Sequence, residues 1–443
     1  MSRKSTIEHL YIHIPFCVTK CGYCDFAVHV IGKEPRSPAS QAHIDDLQTQ
    51  YLTALSNELE AYKHSEITQF SSLRTLYIGG GTPTALSAQN LSKLAKIIET
   101  NFPSFKATCE EITIEAESNT LSEAKLEVLE AEIGASRMSI GCQSMKPKSL
   151  KLMNRGHSVD DLYASLDLIA SKSSKFADFQ NINLDYLIGL PHESEADLVY
   201  SMDKIIDIGP GHVSPYVLEL EKGTNFGKWF SEFSSPLPSE EALEELFVLG
   251  HEYMEANGGF ERYQLSNFAK NRGLRSTHNL MYWTNLVDFL GVGCGAGGKV
   301  GGVRVLNSKN VAKYIKKWGS GDFRKIDLFG DSGDFEGVGG ARWVEETVFG
   351  MILTKYGLID SIFGENEFFE NELIPLFENK IDPEFYQIVE IDAPGELRGF
   401  KKLQKGLKNE TIVLTTRGLF RADAMTSAVS ELIEDHAEVF EGS

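Results

Sequence analysis

Cysteine is scarce, six in 443 residues, and uneven: Cys17, Cys21 and Cys24 stand together while Cys109, Cys142 and Cys294 are scattered. So few thiols exclude a disulfide-stapled scaffold, and a chain this long can bury a sizeable core without staples. Long apolar runs are absent too, none reaching the roughly 18 residues a membrane helix needs. The N-terminal Met-Ser-Arg-Lys-Ser-Thr-Ile-Glu has no apolar signal core, which predicts a cytoplasmic protein in a reducing compartment. Positive charge is in deficit: 43 Lys and Arg face 63 Asp and Glu, a net charge of −20. Such a surface repels phosphate backbones, so no nucleic-acid partner is expected. Internal repeats and low-complexity tracts are missing as well. What remains, 42% hydrophobic and 24% charged residues, is the composition of a globular protein of one to three domains.

Strand-like and helix-like segments alternate through the first half, the pattern of a parallel sheet with crossover helices. Strands are predicted near His9–Ile14, Thr75–Ile78, Glu111–Ala116, Arg137–Gly141, Ile182–Ile188 and His212–Glu219. Amphipathic stretches lie between them: Leu47, Tyr51, Leu55 and Leu59 trace one helical face, as do Leu94 and Ile98, and Leu162, Leu166 and Ile169. Six units fit a partial (β/α)6 barrel better than a complete eight-stranded one. The predicted fold is thus α/β, with the barrel over 1–230, a capping or substrate region over 231–330 and a smaller C-terminal α/β domain over 341–443. A helix is expected from Ser239 to Ala256, a loop-rich stretch from Gly258 to Gly302, and a linker in the glycine- and aspartate-rich Gly330–Gly340. In the last region Val344, Val348 and Leu353 are spaced as in a helix, and Thr411–Thr415 reads as a strand running into a turn at Thr416-Arg417-Gly418. Gly32–Gln41 reads as a surface insertion.

The strongest chemical signal is Tyr11-Ile-His-Ile-Pro-Phe-Cys17-Val-Thr-Lys-Cys21-Gly-Tyr-Cys24-Asp-Phe26, a CxxxCxxC on the loop leaving the first strand. Three thiolates there can hold three irons of a [4Fe–4S] cluster and leave the fourth open to a chelating small molecule. The alternative is a structural zinc site, which would need a fourth ligand such as His13 or His29. Zinc sites usually draw on two separate cysteine pairs, and no second pair exists here. After the second strand comes Gly79-Gly80-Gly81-Thr82-Pro83, a run that permits close backbone approach to a ligand, though a simple strand-end turn would look the same. Asp185 sits in an otherwise apolar strand, where a carboxylate costs free energy unless paired.

Those residues carry a resemblance. The CxxxCxxC spacing is that of the radical S-adenosylmethionine (SAM) superfamily, and from Tyr11 to about Trp318 the chain resembles its coproporphyrinogen dehydrogenase-like branch. The resemblance implies a radical SAM partial barrel, a [4Fe–4S] cluster on Cys17, Cys21 and Cys24, and SAM contacts from Tyr11, Phe26, Gly80, Gly81, Thr82, Glu115, Gln143, Arg155 and Asp185. It also implies a winged-helix-like C-terminal domain. Within the branch, dehydrogenases carry a fourth cysteine where this chain has Phe26, and a long extension where only sixteen residues precede Cys17. Both differences point to the branch's haem-chaperone group. That group implies haem as cargo, delivery to apo-haemoproteins such as membrane respiratory enzymes, an electron donor for the cluster, and a monomer or homodimer. Its HNxxYW motif is present as His278-Asn279-Leu280-Met281-Tyr282-Trp283, making His278, Tyr282 and Trp283 the candidate haem contacts. The other reading of the motif is that His278 caps a turn while the rings pack the barrel mouth. A coproporphyrinogen dehydrogenase and a radical SAM enzyme of another substrate remain the alternative functions, and whether the chain turns over SAM is left open. The Gly291–Gly298 run departs from the Gly-Ala-His-Ser of relatives and introduces Cys294. Its GxGxxG spacing has no following helix or acidic residue to make a dinucleotide site.

Overall fold

The computed structural model describes residues 4–33, 37–285, 287–301, 303–319, 341–359, 368–390 and 410–440, with 328, 336–337 and 363. All six predicted strands are there: β1 (Ser5–Ile14), β2 (Thr68–Gly80), β3 (Glu111–Ala116), β4 (Arg137–Gln143), β5 (Ile182–Ile188) and β6 (His212–Val217). Each pairs in parallel with the next. Strands such as β3 and β5 are buried nearly throughout, because helices cover the outside of a parallel sheet and side chains fill its inside. The crossover helices include Pro38–Lys63, Ala88–Asn101, Val159–Lys172 and Glu195–Ile208. Their inward stripes are those read from the spacing: Tyr51, Leu55 and Leu59, then Leu94 and Ile98, then Leu162, Leu166 and Ile169 are buried, while Leu47 at the start of the first is half-buried against the same core. Ser158 with Asp161, and Ser194 with Asp197, form reciprocal capping boxes that fix where two of these helices begin.

The sheet is larger than six strands. Three short segments from the stretch expected to be loop-rich join it: β7 (Glu261–Gln264), β8 (Asn267–Ala269) and β9 (Leu290–Val292). The order is β9-β1-β2-β3-β4-β5-β6-β8-β7, with β9 parallel to β1 and β8 antiparallel to β6. The sheet therefore does not end at residue 230. Strands of three or four residues are too short to show a period of two, which is why the sequence conceals them. β9 opens the glycine-rich run, and glycine there has a steric cause: a Cβ on Gly291 would lie 1.8 Å from the Gly297 carbonyl oxygen. The run turns back through Gly293 and Gly295, both at positive φ, into an antiparallel hairpin of β10 (Gly297–Val300) and β11 (Val303–Leu306). Cys294 is buried, its thiol against the Ser308 carbonyl at 3.1 Å.

Helix Glu240–Gly258 matches the predicted one. It also links the barrel to the C-terminal unit, since Phe247 and Val248 share a core with Val344, Val348, Ile412, Val429 and Ile433. That unit has a three-stranded antiparallel sheet with Glu410–Leu414 in the middle, flanked by helices Ala341–Ile352 and Ala422–Asp435. The turn expected at Thr416 is instead a short helix, Thr416–Phe420, which the Thr415 hydroxyl caps by accepting from the Gly418 amide. Gly32–Gln41 is likewise not all insertion: Ser37 caps the Pro38–Lys63 helix, while 34–36 lie outside the described residues. The predicted linker also lies outside them, except for 336–337.

Candidate functional site

The three clustered cysteines occupy the loop that leaves β1. Phe16–Cys17 pairs with His29–Val30, the His13 Nε2 meets the Ala27 carbonyl at 2.9 Å, and the Gly22 amide donates to the Met153 carbonyl at 2.8 Å. On its other side the Gly22 carbonyl accepts from the Phe226 amide at 2.8 Å. A loop held at so many points offers its thiols in one arrangement before anything binds. All three line a cavity of about 310 Å³ at the C-terminal ends of the strands, where β/α barrels place their sites. Thr82 Oγ1 donates to Cys17 Sγ at 3.6 Å and Arg155 Nη1 to Cys21 Sγ at 3.4 Å. Burial pushes the Cys17 thiol up to about 12, partly offset by Thr82, and raises Cys24 as well. Among the described residues no three His, Cys, Asp or Glu are arranged to hold a single metal ion. His13, one of the fourth ligands that zinc would need, is engaged by the Ala27 carbonyl and the Tyr11 hydroxyl, so the loop fits a cluster better than zinc.

Phe26, Gly80, Gly81, Thr82, Glu115, Gln143, Arg155 and Asp185 line the same cavity. Gly80 has φ +109, and a Cβ there would lie 2.5 Å from the His13 ring. One on Gly81 would stand 3.0 Å from Cys17 Sγ. The glycine run is therefore a packing requirement of the cysteine loop and not a free strand-end turn. Glu115 accepts from the Gly80 amide and the Tyr77 hydroxyl, both at 2.8 Å. Gln143 ends β4 at a bulge, with φ +61. Asp185 accepts from Asn183 Nδ2 at 2.8 Å and Ser139 Oγ at 3.1 Å, so this carboxylate is not unpaired. Tyr11 is the exception: its ring lies outside this cavity and lines a second one.

Burial raises two carboxyl groups here. Glu115 is pushed up to about 7, with Tyr77 and the Gly80 amide opposing and the Asp185 charge reinforcing the rise. Asp185 rises to about 6 against Asn183, Arg137 and Ser139. A carboxyl whose folded value lies above its unfolded one holds a proton that the unfolded chain releases, so stability falls as pH rises between the two. We expect stability to decline on the pH scale from 3.8 to about 6 through Asp185 and from 4.5 to about 7 through Glu115, with Glu115→Gln and Asp185→Asn each removing on the order of 2 kcal/mol of that decline in urea titrations. An unchanged slope in both variants would refute the assignment.

Several lining residues escaped the sequence reading: Tyr77, Glu117, Arg137, Asn183, Ser214 and Tyr216. Glu117 is the most consequential, pairing with Arg155 Nη2 and, at 2.6 Å, with His157 Nδ1. Alternation was the missed signal. Arg137 and Ser139, Asn183 and Asp185, and Ser214 and Tyr216 are polar residues spaced by two in strands whose other face is apolar, which aims them to one side.

A second cavity, of about 740 Å³, adjoins the first and shares Tyr77 and Asn279 with it. Tyr11, His278, Tyr282, Phe289 and Arg304 are among its walls. Helix Thr277–Thr284 carries the motif and is capped by Ser276, so His278 is not its cap. The His278 Nδ1 meets Thr75 Oγ1 at 2.8 Å, and burial, with lesser contributions from His9 and Arg137, lowers its imidazole to about 3. It is neutral at physiological pH. Trp283 lines neither cavity; it packs against the C-terminal core beside Phe349.

Residues 11–205 match the model of the Radical SAM superfamily, so the fold is that of a radical SAM protein. The heme chaperone HemW of Bacillus subtilis (strain 168) is 35% identical over 310 residues, covering 70% of this chain and 75% of that protein. Heme chaperone HemW of Escherichia coli (strain K12) is 36% identical over 297 residues, covering 66% and 70%. The chain belongs to the HemW family. In fold it matches the solved coproporphyrinogen III oxidase HemN of E. coli, with a TM-score of 0.70 at 20% identity, over 98% of this chain and 91% of that one.

Proposed function

We propose that the chain is a haem chaperone that holds a [4Fe–4S] cluster on Cys17, Cys21 and Cys24, SAM in the first cavity and haem in the second. The adjacency of the two cavities carries this reading: one combines thiols with polar groups, the other is ring-walled with a neutral imidazole, and they meet at Tyr77 and Asn279. When bound, cluster and SAM supply one-electron chemistry. The chain's own part is to bind and orient. Glu115 holds the Gly80 amide and the Tyr77 hydroxyl, Arg155 ties the cysteine loop to Glu117, and Gln143 and Asp185 present polar groups for the adenosyl portion. Phe26 is 59% exposed at the edge of the first cavity and takes the place of a fourth cysteine. His278 and Tyr282 face the cargo, whereas Trp283 serves the fold. Recipients would be apo-haemoproteins, among them membrane respiratory enzymes; among the described residues no helix is long and apolar enough to cross a membrane. The six cysteines are free, as a reducing cytoplasm would keep them.

The test is anaerobic. The reconstituted full chain is titrated with haemin by absorbance, and coproporphyrinogen III consumption is followed with SAM and a reductant. Stoichiometric haemin binding without consumption is expected. Multiple turnovers of coproporphyrinogen III would overturn the chaperone reading in favour of a dehydrogenase.

A further inference from the structure

Among the described residues walling the second cavity, Arg304 alone carries a fixed charge; the rest are rings, aliphatic groups, glycines, a carboxamide and the neutral His278. Arg304 lies on β11 and its guanidinium reaches out of the barrel to Glu346 on helix Ala341–Ile352, Nε to Oε1 at 2.9 Å and Nη2 to Oε2 at 2.8 Å. The pair thus runs from the cavity wall to the C-terminal unit. Its members differ in exposure, 44% for the Arg304 side chain and 16% for Glu346. Glu346 has a second neighbour, since Asn285 Nδ2 approaches its Oε2 at 3.5 Å. Asn285 is the left-handed C-cap of the helix bearing His278 and Tyr282, and buried Lys299 fixes it with two hydrogen bonds of 2.7 Å.

A guanidinium fork donates to any carboxylate in this two-pronged way, and an ion pair whose arginine is 44% exposed to water is worth little in net stability. Replacing Glu346 by another carboxylate on the same fork is therefore close to neutral in free energy, whereas a propionate set against this wall without the fork is left unpaired among rings, glycines and aliphatic groups, at a cost. Glu346 would keep Asn285 beside it after the exchange. Ring and glycine walls with one cation at the edge complement a flat apolar macrocycle whose carboxylates project from its rim.

We propose that Arg304 recognises a carboxylate of the cargo, passing from Glu346 to a haem propionate as haem enters the second cavity. The inference rests on the chaperone reading and extends it: loading removes a tie between the barrel and the C-terminal unit, so the cargo's arrival is reported at that seam.

The test titrates the full chain with haemin and with haemin dimethyl ester, which lacks free carboxylates. Arg304→Gln is expected to weaken haemin binding about tenfold and leave ester binding unchanged. Glu346→Gln is expected to tighten haemin about threefold, because Arg304 begins uncommitted. Thermal unfolding checks that both variants are folded. Equal haemin affinity in wild type and Arg304→Gln overturns the inference alone, as does an equal loss of haemin and ester, which would make Arg304 mere wall. A folded wild-type chain that binds no haemin overturns the chaperone reading, and this inference with it.

Discussion

Replacing any one of Cys17, Cys21 and Cys24 by alanine is expected to abolish retention of iron and sulfide, from about four of each per reconstituted wild-type chain to near none. Three thiolates are the whole protein contribution to such a cluster, and two cannot hold it against free thiols in solution. Alanine at Cys109, Cys142 or Cys294 should leave iron unchanged, since none of these lines the cavity. The clustered variants should stay folded, because the loop's shape rests on backbone bonds from Gly22 to Met153 and Phe226 and on the His13 ring, none of which involves a thiol. Haemin binding in the adjoining cavity should remain within about twofold, as the three thiols line only the first cavity and not the Tyr77 and Asn279 wall that it shares with the second. Colorimetric iron and sulfide on gel-filtered protein decide the matter. Full iron in Cys24→Ala would sink the ligand assignment, and stoichiometric zinc in the anaerobically purified chain would revive the structural-metal reading.

How far the sequence disclosed the site depends on the kind of signal each residue carries. Cys17, Cys21 and Cys24 are legible because their spacing has a chemical meaning that no helix or strand would produce by itself. β3 and β5 match the predicted spans residue for residue, since Ile112 and Ile114, and Ile182, Leu184, Tyr186 and Ile188, recur at every second position as one apolar strand face requires. β9 is hidden for the opposite reason: three residues inside a glycine run carry no period, and only pairing with β1, far away in sequence, makes Leu290–Val292 a strand. Trp283 shows the limit of motif reading. Adjacent residues on a helix point about a hundred degrees apart, so a six-residue motif cannot present all its rings to one ligand, and the C-terminal core claims the last of them. Glu117 was invisible as a site residue because its role depends on Arg155 and His157, which reach it from beyond the next strand.

That buried cluster carries the second large effect. Arg155→Met is expected to destabilise the chain by about 3–5 kcal/mol, because it strands a charge that the fold has already taken out of water. The side chains of Arg155 and Glu117 are 7% and 14% exposed, and Arg155 also donates to the Gly141 carbonyl at 3.0 Å and to the Tyr23 hydroxyl at 3.3 Å. Burial by itself raises the Glu117 carboxyl; the Arg155 charge and the His157 hydrogen bond outweigh it and hold the group below the ordinary carboxylate range. The stabilisation this confers is complete above the unfolded value near 4.5 and is lost as pH falls through the lower folded value. Without Arg155, burial prevails and the carboxyl moves up, so the proton is held where the unfolded chain has released it. The deficit of Arg155→Met relative to wild type should therefore widen between pH 4.5 and 7, which urea midpoints across that range can read. Adding Glu117→Gln to Arg155→Met should restore part of the loss, since a neutral amide tolerates the site better than an unpaired charge. A deficit below about 1 kcal/mol at pH 7, the range of an exposed pair, would show that water reaches Glu117 and that the tie between the cysteine loop and β3 is held by some other group.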